Sequence, residues 1–525
     1  MRLDSLKSNR AGVLIAQAGA ALVIAALFGG CGDNYRPVVT PITSSGPAPQ
    51  VSSYAVVVTN TGTSSSGVVT IIDWSGDSIM NETPIGPGPL VFTVDQTAST
   101  GYTINSDGTM SNFSITTSLQ AKNISYSTLP STAQPVNLMA PSAGLWAADL
   151  NGDVVDLFSG SPEAFERAIP VATSTSTATM PVTIAGSSKL SGQREYVLSQ
   201  NQPDTLAGKI ACNLSPRTAP AGVATPIEIS TNTTDPAIAV GKCPVYAVQT
   251  PDLQRLFVLN RGDDTITVIN SNKNTLDACT PFQNQSGQWI TCHPTIQLPA
   301  GSGPVFAQYN ATTDQLVVAN YDGGTISVID VPIDGYGNDA NTYTNGSCTT
   351  YAACGAVTGG FGTIHTIKVG NTTTPNPASV TVLYDGSKAY TANQNDDSGT
   401  GNGTVTVVNL STYTVEKNLT VVGHPRTIAS TQNSEYSKIY VASPDSPYIT
   451  IIQSTPTVTD LIDTTVLLEG KPVDLRVTTT NGSNSSNDNN SSRVPGYGQP
   501  CNLPPATLVS TYGASYTLAQ CQAVP

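Results

Sequence analysis

A unit of short apolar segments recurs along most of this chain, and it limits the possible folds more than any other feature. Each unit has a Gly/Pro corner, a strand, a polar turn, a second strand that ends in Asn or a substitute, a further turn and a third strand. Repeats of about 40 to 50 residues are typical of four-stranded propeller blades. The second strands end at eight positions: Asn60, Asn105, Asp149, Ser199, Asn260, Asn320, Asn393 and Ser443.

The second and third segments of each unit predict a β-hairpin. Leu256 to Asn260 is followed after a polar turn by Thr265 to Asn270, and Leu316 to Asn320 is followed by Thr325 to Asp330. Runs rich in Val, Ile and Thr between Gly, Asn and Asp turns indicate paired strands. We expect the terminal Asn, Asp or Ser to be structural, because these short side chains bond the backbone of a following turn.

Val57-Val58-Thr59-Asn60, Phe257-Val258-Leu259-Asn260 and Val317-Val318-Ala319-Asn320 resemble the signature strand of the YVTN family of β-propellers. The resemblance covers about residues 54 to 478 and is weakest between 101 and 200. It implies an all-β fold, a single β-propeller of four-stranded blades. The repeat count predicts eight blades, whereas seven is the usual number in the family.

The two ends of the repeat region predict how the ring closes. The region opens at Tyr54 with a second strand that has no first strand of its own, and it ends with Pro472 to Thr478, a first strand without successors. We expect this last strand to complete the first blade, which leaves no unpaired sheet edge between the ends.

The first thirty residues predict a processing segment. Basic residues precede an apolar run from Val13 to Phe28, and Gly29-Gly30-Cys31 follows it. This ending resembles a bacterial lipobox, which implies lipidation of Cys31, and Gly32 in place of Asp favours the outer membrane. An uncleaved membrane anchor is the alternative.

Composition divides the rest of the chain into four segments. Residues 31–53 are rich in Pro, Ser and Thr and predict a disordered tether. The propeller is expected at 54–480, a low-complexity linker at 481–494, and a C-terminal tail at 495–525.

Besides Cys31 there are eight cysteines, an even set that predicts disulfides in an oxidising compartment. Sequence proximity favours four local bridges: Cys212 with Cys243, Cys279 with Cys292, Cys348 with Cys354, and Cys501 with Cys521.

The formal net charge of −14 argues against a nucleic-acid partner, which demands a basic surface. The three histidines lie in different repeats, and no Cys-x-x-Cys pair occurs, so the sequence predicts neither a metal nor a cofactor. The oxygen-rich loop Asn393 to Gly403 lacks the acid spacing of calcium loops, and Arg261-Gly262-Asp263 is interpreted as turn chemistry.

Lys242, His424, Arg426 and Lys471 lie at Gly/Pro corners, next to the strands expected to line the central channel. If they converge they form an anion-binding funnel at the channel mouth. The alternative is that they are scattered charges on the rim.

Two functions remain open. The first is a monomeric cell-envelope lipoprotein, facing the periplasm or the surface, whose propeller binds protein or glycan, or acts as a scaffold, without evident catalysis. Its inserted loops at 271–294 and 331–363 are candidate recognition elements. The second is a hydrolytic enzyme resembling the lactonase propellers, which would need carboxylates or histidines converging at the channel mouth.

Overall fold

The structure is a computed structural model that describes the chain between residues 54 and 478, with gaps. The described residues are 54–62, 65–95, 98–115, 125–141, 144–171, 179–186, 194–202, 212, 219–250, 253, 255–277, 282–283, 289–290, 294–331, 361–397, 399–454 and 460–478. Cys31, the tether, the linker and the tail therefore lie outside the described residues.

Eight small antiparallel sheets form the fold, as the repeat count predicts. Blades 1 to 4 contain β1 (Tyr54–Asn60), β2 (Ser66–Asp73) and β3 (Ile79–Pro87); β4 (Pro89–Val94), β5 (Thr100–Asn105), β6 (Thr109–Ser114) and β7 (Ser125–Thr128); β8 (Pro135–Met139), β9 (Leu145–Asp149), β10 (Val154–Gly160) and β11 (Glu163–Pro170); and β12 (Pro181–Gly186), β13 (Arg194–Ser199), β14 (Ala221–Glu228), β15 (Thr233–Thr234) and β16 (Ile238–Lys242).

Blades 5 to 8 follow the same plan, with a small extra hairpin of β21 (Phe282–Gln283) and β22 (Trp289–Ile290). They contain β17 (Pro244–Gln249), β18 (Arg255–Asn260), β19 (Thr265–Asn270), β20 (Thr275–Leu276) and β23 (Thr295–Gln297); β24 (Pro304–Asn310), β25 (Gln315–Asn320), β26 (Thr325–Asp330) and β27 (Thr363–Lys368); β28 (Pro377–Val382), β29 (Lys388–Asn393), β30 (Thr404–Asn409) and β31 (Thr414–Thr420); and β32 (Thr427–Ser430), β33 (Lys438–Ala442), β34 (Tyr448–Gln453) and β35 (Leu461–Leu467).

The final strand, β36 (Lys471–Val477), closes the ring, which confirms the predicted closure. It pairs antiparallel with β1 and is the innermost strand of blade 1. Tyr54 N donates to Thr478 Oγ1 at 2.7 Å, at the end of this pairing. The inner strands contact one another in sequence around the axis, including β36 with both β4 and β32. The described part of the chain contains no helix that could cross a membrane.

A proline begins the inner strand in blades 2 to 7 and lies within two residues of its start in blades 1 and 8, and it defines one face of the propeller, called here the corner face. In blades 2 to 7 the proline pairs with the last residue of the second strand, as Pro304 does with Asn320, and the register then shifts by one residue. Proline has no N–H to donate to the ladder, so a β-bulge at this point is expected. The residue after the proline is called here the bulge residue.

The residue opposite this proline is called the column residue, and where it is Asn it ties the second strand to the third. Asn260 Nδ2 donates to Thr265 Oγ1 (3.1 Å) and Thr267 Oγ1 (2.8 Å). Asn105, Asn320 and Asn393 make the same bonds in blades 2, 6 and 7. The partner is thus mainly a hydroxyl of the third strand, whereas the sequence predicted the backbone of the turn.

In blade 1 the column residue is Thr59, one position before the predicted Asn60. Thr59 pairs with Pro472, and it is fully buried, whereas Asn60 is partly exposed. Its Oγ1 donates to the carbonyl of Glu469 at 2.6 Å. β1 does end at Asn60 as predicted, and Asn60 Oδ1 accepts a hydrogen bond from Gly62 N of the turn at 2.9 Å, so only the residue opposite the proline differs by one position.

The opposite end of the second strand joins neighbouring blades. Lys388 Nζ lies 2.9 Å from Asp460 Oδ2 of blade 8, and Tyr390 Oη donates to Asp460 Oδ1 at 2.7 Å. In the same positions of blade 8, Lys438 and Tyr440 bond Asp77 of blade 1. In blades 7 and 8 the tyrosine at this position is buried, and its hydroxyl reaches the next blade.

Candidate functional site: the channel mouth on the corner face

All four sequence-predicted site residues lie on the corner face. Lys471 is the first residue of β36 and is exposed, and Lys242 ends β16 two residues before Pro244. His424 and Arg426 flank Pro425 at the start of blade 8. The four residues thus share a face but differ in depth and in partners.

Arg426 occupies a position that is apolar in every other blade. It is the bulge residue of blade 8, since it follows Pro425 and precedes Thr427, which pairs with Ala442. The bulge residues of blades 1 to 7 are Val473, Leu90, Val136, Val182, Val245, Val305 and Ala378. A single arginine thus interrupts an apolar ring on the innermost strands.

Residues of two other blades act electrostatically on Arg426, which locates its guanidinium near the channel axis. Burial lowers the pKa of Arg426, while Asp474 of blade 1 and Tyr321 of blade 6 oppose that change. Blades 6 and 8 are not neighbours, and residues of two such blades approach each other only close to the axis. The arginine stays charged, because its ordinary pKa is above 12.

Asp474 joins Arg426 to a second buried arginine. Its Oδ2 accepts a hydrogen bond from Arg476 Nη2 at 2.9 Å, and its Oδ1 accepts one from Leu475 N at 2.8 Å. Thr427 Oγ1 lies 3.3 Å from the same Oδ1. Asp474 and Arg476 are both almost fully buried. Asp474 thus interacts with both arginines.

On the other side of the mouth, side chains that follow the column residues form a chain from blade to blade. Arg261 binds Asp322 through Nε (3.1 Å to Oδ2) and Nη2 (2.8 Å to Oδ1), and its guanidinium lies 5.2 Å from the centre of the Tyr321 ring. Tyr321 Oη donates to Gln394 Oε1 at 3.4 Å. Burial raises the pKa of Tyr321 to about 12, although Arg261 and Arg426 lower it.

These six residues are called the mouth cluster: Arg261, Tyr321, Asp322, Arg426, Asp474 and Arg476. Three arginines face two aspartates and a neutral tyrosine, so the cluster carries a net positive charge within an acidic protein. A partly desolvated guanidinium with a nearby hydroxyl is suited to hold a carboxylate or phosphate, because Arg donors match the geometry of such anions.

His424 lies at the same face but is engaged by carboxylates. Its Nδ1 is 2.5 Å from Asp445 Oδ2, and its Nε2 is 3.7 Å from Asp397 Oδ2. The backbone N–H of His424 also donates to Asp445 Oδ1, and hydrogen bonds and charge from His424 help lower the pKa of Asp445. Both ring nitrogens of His424 therefore face carboxylates. It is therefore poorly placed as a general base in this state.

Lys242 and Lys471 lie farther out on the corner face. The backbone N–H of Lys242 donates to Asp263 Oδ2 at 3.1 Å, and its Cβ packs against Gly262. Lys471 pairs with Asn60 at the start of the closing strand. Their positions fit rim charges that attract an anion from solution, rather than ligands deep in the mouth.

The structure contains the bridge Cys212–Cys243, one of the four predicted pairs, with a Cα–Cα distance of 5.5 Å. It ties a loop of blade 4 to the corner just before Pro244. The six remaining cysteines of the predicted pairs, Cys279, Cys292, Cys348, Cys354, Cys501 and Cys521, lie outside the described residues, as do large parts of the loops at 271–294 and 331–363.

Among the described residues, no three His, Cys, Asp or Glu side chains converge to form a ready-made metal centre. In the loop 393–403, Asp396 accepts from Asn371 N, Thr372 N and Thr404 Oγ1, and Asp397 accepts from the backbone N–H groups of residues 399 to 401. Both carboxylates therefore anchor loops.

Sequence reasoning missed Tyr321, Asp322, Asp474 and Arg476, and it treated Arg261 only as part of a turn. Arg261 and Tyr321 follow Asn260 and Asn320 directly, and their N–H groups bond the carbonyls of Cys243 and Gly303 in the same register. The signal that could have found them is their shared place after the column residue.

No protein-family model and no curated protein matches this chain. Several solved structures share its fold. The dihydro-heme d1 dehydrogenase NirN, in complex with DHE, is 12% identical with a TM-score of 0.53, over 86% of this chain and 80% of that one. AztD from Citrobacter koseri is 12% identical with a TM-score of 0.50, over 81% and 97%. The Pseudomonas aeruginosa periplasmic gluconolactonase PpgL is 13% identical with a TM-score of 0.45, over 82% and 99%.

At these identities the similarity concerns the fold alone, and the eight blades are those of the structure itself. The fold hosts proteins of different names and activities, so it does not choose among functions. The assignment to the YVTN repeat family and the lipoprotein signal stay predictions.

Proposed function

We propose that this propeller binds a small organic anion, a carboxylate or a phosphate ester, at the channel mouth on the corner face. The observation that carries the proposal is Arg426, the single charged residue among eight bulge residues. An arginine at a partly desolvated position costs free energy unless an anion compensates it. Asp474 acts on Arg426 and also binds Arg476, so this position already attracts a carboxylate.

The apolar bulge residues complement this charge. Blades 3 to 6 lie across the ring from Arg426, and their buried bulge residues are Val136, Val182, Val245 and Val305. Ligand sites commonly combine an apolar wall with a few polar groups that fix orientation. Such a mouth favours an anion with a hydrocarbon or sugar body over a bare inorganic ion.

Titration calorimetry of the full chain with gluconate, acetate and inorganic phosphate tests this function. We expect binding that weakens at least tenfold in Arg426→Leu, which introduces the residue that blade 2 carries at this position. Lys368→Ala removes an exposed charge from the same face and is the matched control. Equal binding by wild type and Arg426→Leu, or no binding of any probe, would refute the proposal.

The second candidate is hydrolysis of a sugar lactone, whose product is itself a carboxylate. The observation that favours it is His424, held by Asp445 on the same face as Arg426. If His424 moves away from Asp397 on binding substrate, it becomes able to activate water. Turnover of glucono-δ-lactone that His424→Gln abolishes, without loss of gluconate binding, would favour the enzyme over the binding protein.

We also propose that Cys31 carries a lipid anchor and that the propeller works in the cell envelope, on the support of the apolar run and the small residues before Cys31. We expect Cys31→Ser to move the protein from the membrane fraction to the soluble fraction of a bacterial host. Unchanged fractionation of the variant would contradict this part.

A further inference from the structure

Blade 3 departs from the blades with an Asn column residue at two positions that are hydrogen-bonded to each other in those blades. In blades 2, 5, 6 and 7 an Asn column residue donates to a Thr or Ser two residues beyond the start of the third strand, as Asn393 does to Thr406 at 2.8 Å. In blade 3 these positions are Asp149 and Asp156. A donor and an acceptor are thus replaced by two carboxylates.

The first carboxylate is wrapped by its own loop. Asp149 Oδ1 accepts hydrogen bonds from Gln134 N (2.8 Å), Asn151 N (3.1 Å) and Gly152 N (3.2 Å). A Cβ on Gly152 would lie 2.6 Å from Asp149 Oδ2, so glycine is required for this close approach. All three bonds use Oδ1, which leaves Oδ2 as the oxygen available to a ligand.

The second carboxylate is buried beside the first and lacks a partner on one oxygen. Asp156 is 2% exposed, and its Oδ2 has no hydrogen-bond partner among the described residues. Two adjacent buried carboxylates need a proton or a cation between them.

The residue types favour a hard cation. Asp149, Asn151 and Asp153 alternate along the loop before Asp156, and oxygen side chains at alternate positions are the pattern of calcium loops. Asp153 Oδ1 already accepts from Thr179 and Met180, so it holds the next corner in place. No His or Cys occurs in this loop, which disfavours zinc and copper.

We propose that the loop from Asp149 to Asp156 in blade 3 binds one Ca²⁺ through the carboxylates of Asp149 and Asp156. Only two carboxylates approach closely, so neutral oxygens and water complete the coordination. Such a site belongs to the weak class of calcium sites, with a Kd of about 10⁻⁴ to 10⁻³ M. It lies apart from the mouth cluster and does not depend on the proposed anion site.

The test compares the full chain with a double variant that restores the residues of the regular blades, Asp149→Asn with Asp156→Thr. After treatment with EDTA, each protein is titrated with CaCl₂ by calorimetry and melted with and without calcium. We expect wild type to bind one ion and its Tm to rise by roughly 2–4 °C in excess calcium. The double variant should fold, because Asn–Thr pairs support blades 5 and 7, and should show neither effect.

Asp107→Asn, which removes an exposed carboxylate from the equivalent turn of blade 2, is the matched control and should bind calcium as wild type does. Two results would overturn the proposal. One is the absence of calcium binding by wild type at millimolar concentration, which would leave a proton as the bridge. The other is undiminished binding by the double variant, which would place the ion elsewhere.

Discussion

Blade 7 carries Asn393 at its column position, whereas blade 4 carries Ser199. Asn393 reaches Thr404 and Thr406 with its amide nitrogen. Ser199 Oγ and Thr225 Oγ1, the corresponding atoms of blade 4, are buried without hydrogen-bond partners among the described residues. The serine side chain is too short to span the gap that an asparagine closes.

The contrast extends to charged groups. In blade 7 the buried Lys388 is matched by Asp460, whereas in blade 4 the fully buried Glu195 has no hydrogen-bond partner on either oxygen in the described part of the chain. Blade 7 thus pairs its column residue and its buried charge, and blade 4 pairs neither among the described residues. Stability should therefore be distributed unequally around the ring, although its sheets look alike.

Breaking the pair in blade 7 should have the largest effect. Lys388→Met leaves Asp460 buried without its cation, and we expect a loss of about 3–5 kcal/mol in the free energy of unfolding. Urea unfolding measures this loss. Lys368→Met, at an exposed lysine, should change the midpoint little, and an equal loss in both variants would show that burial of the pair is unimportant.

Removing the unpaired acid of blade 4 should make stability less dependent on pH. Burial raises the pKa of Glu195 to about 8, so the folded state holds a proton that the unfolded state releases above about pH 4.4. Ionisation therefore destabilises the fold progressively as pH rises from about 4.4 to 8. We expect Glu195→Gln to gain roughly 2–3 kcal/mol on wild type between pH 5 and pH 8. Parallel stability curves for the two proteins over this range would contradict the assignment.

Loss of the Asn column residue of a regular blade should destabilise the fold moderately. Asn320→Ala removes bonds to Thr325 and Ser327 and leaves their buried hydroxyls without a donor. We expect a loss of about 1–3 kcal/mol in urea unfolding. An unchanged free energy of unfolding would mean that the column residue does not stabilise its blade.

Replacing the column residue of blade 4 by alanine should have the smallest effect on the free energy of unfolding. Ser199→Ala removes a buried hydroxyl that makes no bond to a described residue, so we expect a change within about 0.5 kcal/mol. A loss as large as that of Asn320→Ala would erase the distinction between the two blades.

Strand periodicity and the Gly/Pro corners were sufficient to predict the blade count, the hairpins and the closing strand, because these depend on local pattern. The mouth cluster was only partly predictable. Arg426 and its face follow from the corner, but Arg261 and Tyr321 come together from blades 5 and 6, and Asp474 is supplied by the last strand. Contacts among residues so far apart in sequence depend on the angle between blades, which no local pattern encodes.

The pairing of β36 with β1 has a consequence for synthesis. Blade 1 has only three strands until the segment Lys471–Val477 emerges and folds against Tyr54–Asn60. A chain truncated before this segment would expose the unpaired edge of β1 and leave a gap beside blade 8. Proteases and other chains bind such exposed edges. The ring can therefore close only after residue 477 has been translated, because the edge of β1 stays unpaired until then.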